Sequence, residues 1–239
     1  MRLDNPLVVQ WEYASEERLS RRNQTYRDLS EGESPEDVAF QAVADVRPRR
    51  FLEIGCGVGQ FAERVLERLR AEVVAIDIAE RMVELTRARG IETEVADAQA
   101  LPYGDAEFDC VAANWVLYHV PDIDKALEEA KRVLVPGGRF VAATIGEGNM
   151  AELWKLLDSQ PTHGLSFGSE NGAEILGRHF ENVRRRDAIG TVVFPDTSSM
   201  REFVAATITR AHFADRVPEL TEPFRTRCAH VIFTGEKKK

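Results

Sequence analysis

Cysteine is scarce and scattered: Cys56, Cys110 and Cys228 are the only three in 239 residues. An odd, dispersed set argues against a disulfide framework and fits a reducing compartment. Neither these cysteines nor the five histidines fall at metal-ligand spacing, so no metal is expected. No apolar run approaches the ~20 residues of a membrane span. The opening Met1-Arg-Leu-Asp-Asn-Pro6 lacks the apolar core of a signal peptide, so a cytoplasmic protein with no membrane partner is expected. Positive charge is also short, with a net charge of −9. A nucleic-acid groove needs the opposite sign, so no nucleic acid is expected. Two basic clusters, Arg184-Arg-Arg186 and Lys237-Lys-Lys239, read as solvated charge. There is no internal repeat and no low-complexity linker. The length, with 44% hydrophobic and 30% charged residues, suits one α/β domain with an elaboration.

Against these absences, glycine is concentrated at one place. The apolar run Phe51 to Ile54 meets three glycines at alternate positions, Gly55, Gly57 and Gly59. A helical pattern follows at Phe61, Val65, Leu66 and Leu69, giving a strand, a tight turn and a helix start. Such a turn lets a ligand approach the backbone beside free N–H groups. No Lys follows, which excludes a phosphate-binding P-loop. The dinucleotide fingerprint G-x-G-x-x-G begins at Gly55 and Gly57 but meets Gln60 at its third position. Glu53, set in the apolar strand, would repel a phosphate; it suits a ligand with hydroxyls or positive charge. The pattern E-x-G-x-G-x-G at Glu53, Gly55, Gly57 and Gly59 closely resembles the first motif of the class I S-adenosylmethionine-dependent methyltransferases.

The segments that follow keep that family's order from about residue 49 to residue 145. Val73 to Asp77 reads as a second strand ending in an acid, 18 residues beyond Gly59. An acid there bonds ribose hydroxyls in doubly wound folds, dehydrogenases included; its other reading is a helix N-cap. Ile91 to Val95 reads as a third strand, and the stretch from Asp97 through Leu101-Pro-Tyr103 to Phe108-Asp-Cys-Val111 resembles the family's next motif. The resemblance implies that Asp97 accepts from an adenine amino group and that the Ala98 N–H donates to the ring. It also implies that Ile78 and Met82 cover the adenine faces; Met82 equally fits a core position at helical spacing. A fourth strand, Phe108 to Ala113, ends at Asn114, beside the methionine part of the cofactor in the family. Asp122 caps a helix that stops at Val135-Pro-Gly-Gly138, another family hallmark and an ordinary helix stop, before a strand from Arg139 to Ile145. The nearest resemblance is to the small-molecule, quinone-biosynthesis-like branch.

The expected fold is therefore α/β: a Rossmann-like, doubly wound, seven-stranded, mostly parallel sheet with helices on both faces. It is read as a single domain over 1–239. Residues 1–33 form an N-terminal helical flap, helical from Ser15. Residues 34–145 form the cofactor-binding core, opened by the helix start Ser34-Pro-Glu-Asp37. Residues 146–239 hold the C-terminal half of the sheet, with strand-like residues from Val183 to Phe194 and a last strand from Arg227 to Thr234. A helical substrate lid is expected at about 195–224, with one face at Met200, Phe203, Thr207, Ile208 and Ala211.

The implied activity is methyl transfer from S-adenosylmethionine, which becomes S-adenosylhomocysteine, to a small-molecule acceptor. The enzyme is expected as a monomer or homodimer. Glu53, Gly55, Cys56, Gly57, Asp77, Ile78, Met82, Asp97, Ala98 and Asn114 are the cofactor-side candidates. Arg18 and Arg21 are candidates to reach the cofactor's carboxylate from the flap, against the reading of an exposed charged helix face. Cys56, at a helix start, is a position where a thiol pKa can fall, or a small residue read through its backbone. Tyr13, Tyr26, Trp115 and His119 are the acceptor-side candidates, and His119 is the candidate general base, against a packed or capping histidine. Two other classes stand beside this reading: a nicotinamide-dependent oxidoreductase, and a non-catalytic cofactor-binding module of the same fold.

Overall fold

The apolar run after Arg50 becomes a strand covered on both faces, and the other elements are arranged around it. A computed structural model describes residues 3–160 and 164–239; Met1 and Arg2, at the start of the expected flap, lie outside them. In chain order the elements are α1 (Pro6–Glu12), α2 (Glu17–Leu29), β1 (Ser30–Gly32), α3 (Pro35–Ala44), β2 (Arg50–Ile54), α4 (Gln60–Leu69) and β3 (Glu72–Asp77). Then come α5 (Glu80–Arg87), β4 (Glu92–Val95), β5 (Phe108–Asn114), α6 (Ile123–Val133) and β6 (Leu134–Ile145). The last are α7 (Ala151–Leu156), α8 (Gly172–Gly177), β7 (Glu181–Phe194), α9 (Thr197–Ala205) and β8 (Phe224–Glu236).

Local chemistry starts several of the helices. The Asn5 side chain accepts from the Leu7 N–H at 3.0 Å, with Pro6 at the first helical position of α1. Ser34 caps α3, Asp122 caps α6 and Asp196 caps α9 in the same way, through the N–H groups of Asp37, Lys125 and Ser199. The sheet runs β1-β7-β8-β6-β5-β2-β3-β4. Strands β6, β5, β2, β3 and β4 pair in parallel, and β8, β7 and β1 join antiparallel. One buried cluster fills the face under α6 and α8, and a second fills the face under α3 and α4. A third unites α7, α9 and the ends of β7 and β8 with Tyr26 and Leu29 of α2.

The sheet has eight strands, one more than the sequence suggested. The extra strand is β1, whose Ser30, Glu31 and Gly32 pair with Val192, Thr191 and Gly190. The approach is close: a Cβ on Gly190 would lie 2.5 Å from the Glu31 carbonyl oxygen. Three other expectations shift. The N-terminal segment is two helices rather than one, and α2 has Glu16 rather than Ser15 at its N-cap. The helix read through Ala211 ends at Ala205, and a 3₁₀ turn over Ala211–Arg216 completes the connection to β8. The last strand is longer at both ends, because it pairs with β6 on one side and β7 on the other.

Candidate active site

Strand order reverses between β2 and β5, and a crevice at the carboxyl ends follows from that topology. Here it widens into a cavity of about 1820 Å³, walled by the β2, β3 and β5 ends, by α1 and α2, and by the β7–β8 connection. At the end of β2, Gly55 has φ 72°, and a Cβ there would meet Val116 at 2.5 Å. Gly57 and Gly59 also have positive φ, and α4 begins with no side-chain cap. Of its first N–H groups, that of Ala62 is met by the Glu53 carboxyl.

Asp77, at the end of β3, accepts from the Gly57 N–H and the Ala79 N–H, each at 2.9 Å. Burial raises its pKa, and these amides oppose the rise. Glu53 is 3% exposed, and its Oε2 has no hydrogen-bond partner among the described residues. Burial pushes its carboxyl well above the ordinary range; the Ala62 amide pulls it down, and the Asp77 and Glu36 charges push it further up. Cys56 lines the cavity with its Sγ 3.4 Å from Thr86 Oγ1. Its thiol pKa is raised, not lowered: burial, then the Asp77 and Glu53 charges, outweigh the helix start.

Ile78, 57% exposed, and the buried Ala98 line the cavity beside Asp97. Gln99 clamps Asp97: its Nε2 donates to both carboxylate oxygens at 3.0 Å, and its N–H donates to Oδ1 at 2.9 Å. Met82 is fully buried in α5 and is not part of the cavity wall, the place its helical spacing with the core gives it. Asn114 lines the cavity with neither side-chain atom hydrogen-bonded among the described residues.

The flap arginines need a correction. Arg18 stacks on Trp11, 3.8 Å from the ring centre, and pairs with Glu12; Arg21 pairs with Glu202 in solvent. Neither lines the cavity. The face of α2 that does carries Leu19, Arg22, Asn23, Tyr26 and Arg27, an i, i+3, i+4, i+7, i+8 stripe. Arg22 ion-pairs with the buried Glu12 and donates to the Ala206 carbonyl at 2.6 Å.

His119 is tied at both nitrogens. Its Nδ1 lies 3.0 Å from the Leu3 carbonyl oxygen, which can only accept, so Nδ1 carries the proton. Nε2 then accepts from the Tyr13 hydroxyl at 2.9 Å. Burial lowers the His119 pKa to about 4, and burial first of all raises Tyr13 to about 12. His119 can take a proton at Nε2 only through, or after displacement of, the Tyr13 hydroxyl. Trp115 has φ 54°, an uncommon backbone for a large side chain, and its Nε1 donates to His230 Nδ1 at 2.9 Å. Tyr26 packs edge-on against His230, ring centres 5.3 Å apart, and its hydroxyl accepts from Asn149 at 3.3 Å. The sequence reading missed Arg22, Gln99 and His230; of these, only Arg22 had an available signal, its spacing with Leu19 and Tyr26.

Residues 52–142, which hold the glycine loop, Asp77, Asp97 and Asn114, match the family described as "Methyltransferase domain". This segment resembles a methyltransferase domain. The chain is 36% identical to a malonyl-[acyl-carrier protein] O-methyltransferase of Methylococcus capsulatus over 148 residues, 57% of this chain and 54% of that protein. It is 36% identical to a ubiquinone/menaquinone biosynthesis C-methyltransferase of Brucella anthropi over 124 residues, 48% of this chain and 47% of that protein. The chain thus spans about half the length of these curated relatives. A solved Thermotoga maritima structure, titled a SAM-dependent methyltransferase and possible histamine N-methyltransferase, superposes with a TM-score of 0.59 at 22% identity. It covers 92% of this chain and 95% of that one, so the likeness in fold extends beyond the matched segment.

Proposed function

We propose that this chain transfers a methyl group from S-adenosylmethionine to a small-molecule acceptor. The observation that carries the reading is the glycine loop and Asp77, joined by the Gly57–Asp77 hydrogen bond at the floor of the large cavity. The residues fit the cofactor: the loop offers open backbone, Asp77 keeps lone pairs for ribose hydroxyls, and Glu53 offers an unmet buried oxygen near a positively charged ligand. Ile78 and Ala98 flank the adenine, and Asp97 meets its amino group, sharing that carboxylate with Gln99. Arg22, not Arg18 or Arg21, is the flap arginine set toward the cofactor's carboxylate.

When bound, the cofactor supplies an activated methyl on its sulfonium. The protein's part is to hold the acceptor in line and exclude water, worth roughly 7–11 kcal/mol of the barrier. Helices α1 and α2 act as a flap and the β7–β8 connection as a lid; their contacts through Arg22 and Ala206 close the cavity from above. Tyr13, held by His119, is the nearest proton-handling group for an acceptor that arrives protonated. The relatives' names specify an acyl-carrier-bound malonyl group and quinones, with methylation on oxygen in one and carbon in the other.

Calorimetry of S-adenosylmethionine, S-adenosylhomocysteine and NAD against wild type and Asp77→Ala tests the reading. Both adenosyl ligands should bind, and Asp77→Ala should weaken them about 10- to 100-fold, the loss of hydrogen bonds to a charged acceptor. Binding of NAD alone would replace this reading with a nicotinamide enzyme.

A further inference from the structure

We infer that His230 is the hydrogen-bond donor that selects an oxygen-bearing, ring-containing methyl acceptor. This rests on the methyltransferase reading and names the acceptor class for it. The indole N–H of Trp115 can only donate, so His230 Nδ1 must accept and carries no proton. A neutral imidazole then holds its proton on Nε2. Burial keeps the ring neutral, with a pKa of about 4. His230 thus presents an N–H donor at Nε2 and cannot serve there as a base.

Nε2 itself is covered and has no partner among the described residues; His230 is 5% exposed and lines the cavity, so a ligand oxygen reaches Nε2 once the side chains packed on the ring move aside. An unmet buried donor calls for an explanation, and a ligand oxygen supplies one. Position assigns it to the acceptor. His230 pairs with Ile145 at the carboxyl end of β6, and its strand β8 lies on the opposite side of β2 from Asp77. The groups around it are aromatic: Trp115 and Tyr26 pack edge-on against the ring, and Phe203 packs against Tyr26. The proposed acceptor is a flat apolar body set against these rings, with a carbonyl-type oxygen at Nε2–H. The strained backbone of Trp115 holds the indole that fixes the tautomer.

The test pairs two measurements. Histidine ¹⁵N NMR reads the tautomer directly; His230 should show a protonated Nε2 and a bare Nδ1. Calorimetry with S-adenosylhomocysteine present then compares acetophenone with ethylbenzene, which lacks the oxygen. Wild type should favour acetophenone by at least about tenfold. His230→Phe should bring the ratio near one, and His230→Gln, which keeps an N–H donor, should restore part of it. An Nδ1–H tautomer, equal affinities, or binding of neither probe overturns the assignment. S-adenosylhomocysteine affinity is read separately in every variant. Its loss in wild type sinks the methyltransferase reading, while the tautomer and the probe ratio still judge His230.

Discussion

Two buried histidines carry part of the pH dependence of the fold. Burial holds His119 and His230 at about 4, below their ordinary 6.5. Between those values the unfolded chain binds protons that the folded chain excludes. Both groups therefore favour the fold fully above pH 6.5 and lose that contribution as pH falls toward 4. Glu53 and Asp77, raised by burial, act in the opposite sense, since the folded state holds their protons more tightly. Replacing one histidine isolates its share. His230→Gln should gain stability on wild type as pH falls from 7 to 5, by about 1.4 kcal/mol per pH unit once below the unfolded pKa. Urea midpoints across that range check this; parallel pH profiles would mean that the ring is protonated in the fold. At Gly55, alanine must adopt φ 72° and push Val116 aside. Gly55→Ala should cost about 1–3 kcal/mol in urea unfolding and weaken cofactor binding, because the loop itself must move.

At the level of elements, the flap is fastened by a buried charge pair. Glu12 has no exposed side-chain surface, and Arg22 is 15% exposed. Arg22→Ala leaves the buried Glu12 carboxylate with Arg18 as its one remaining ion-pair partner, and should destabilise by about 1.5–3 kcal/mol. Arg21→Ala removes a solvent pair and should cost less than about 1 kcal/mol, whereas Arg18→Ala, whose buried partner Glu12 keeps Arg22, should fall between the two. Thermal melts of the three variants give the ranking; equal shifts would mean that the flap does not depend on Arg22. The sequence distinguished these arginines poorly. The apolar stripe of α2 is thin, with Thr25 its only fully buried residue, so its phase was hard to read from hydrophobicity. Helix α1 was marked by Asn5-Pro6, a cap followed by proline, but is only seven residues long. His230 was hidden for a different reason: β8 is buried continuously from Cys228 to Phe233, so no alternation reveals which face meets the cavity. The glycine loop, by contrast, was readable because backbone geometry demanded glycine there.

The whole molecule joins a parallel half, which the sequence pattern described well, to an antiparallel half whose cavity-facing residues depend on distant pairing. Strands β2, β3, β5 and β6 follow local apolar runs, and the order of β2 to β6 in the sheet is the order of a doubly wound fold. β1 was not readable: Ser-Glu-Gly has no strand propensity, and it is extended only because β7 lies beside it. If the cavity binds cofactor with the cap closed, ligand and fold are linked. S-adenosylhomocysteine at a hundred times its Kd should add about 2.7 kcal/mol, a rise in Tm of roughly 5–10 °C for a chain of this size. Limited proteolysis between α2 and α3 should slow in parallel; an unchanged melting curve would separate the cavity from the folding unit.

The cap over the cavity also has a place in time. A ribosome makes Tyr13 and Arg22 before the strands they cover, yet Arg22 docks on the carbonyl of Ala206, 184 residues later in the chain. β1 likewise waits for β7 before it can pair. Closure of such distant contacts comes late in folding, after the local strand-helix units have formed. The nascent chain therefore builds the floor of the cavity before its roof, although the flap half of that roof is synthesised ahead of the floor.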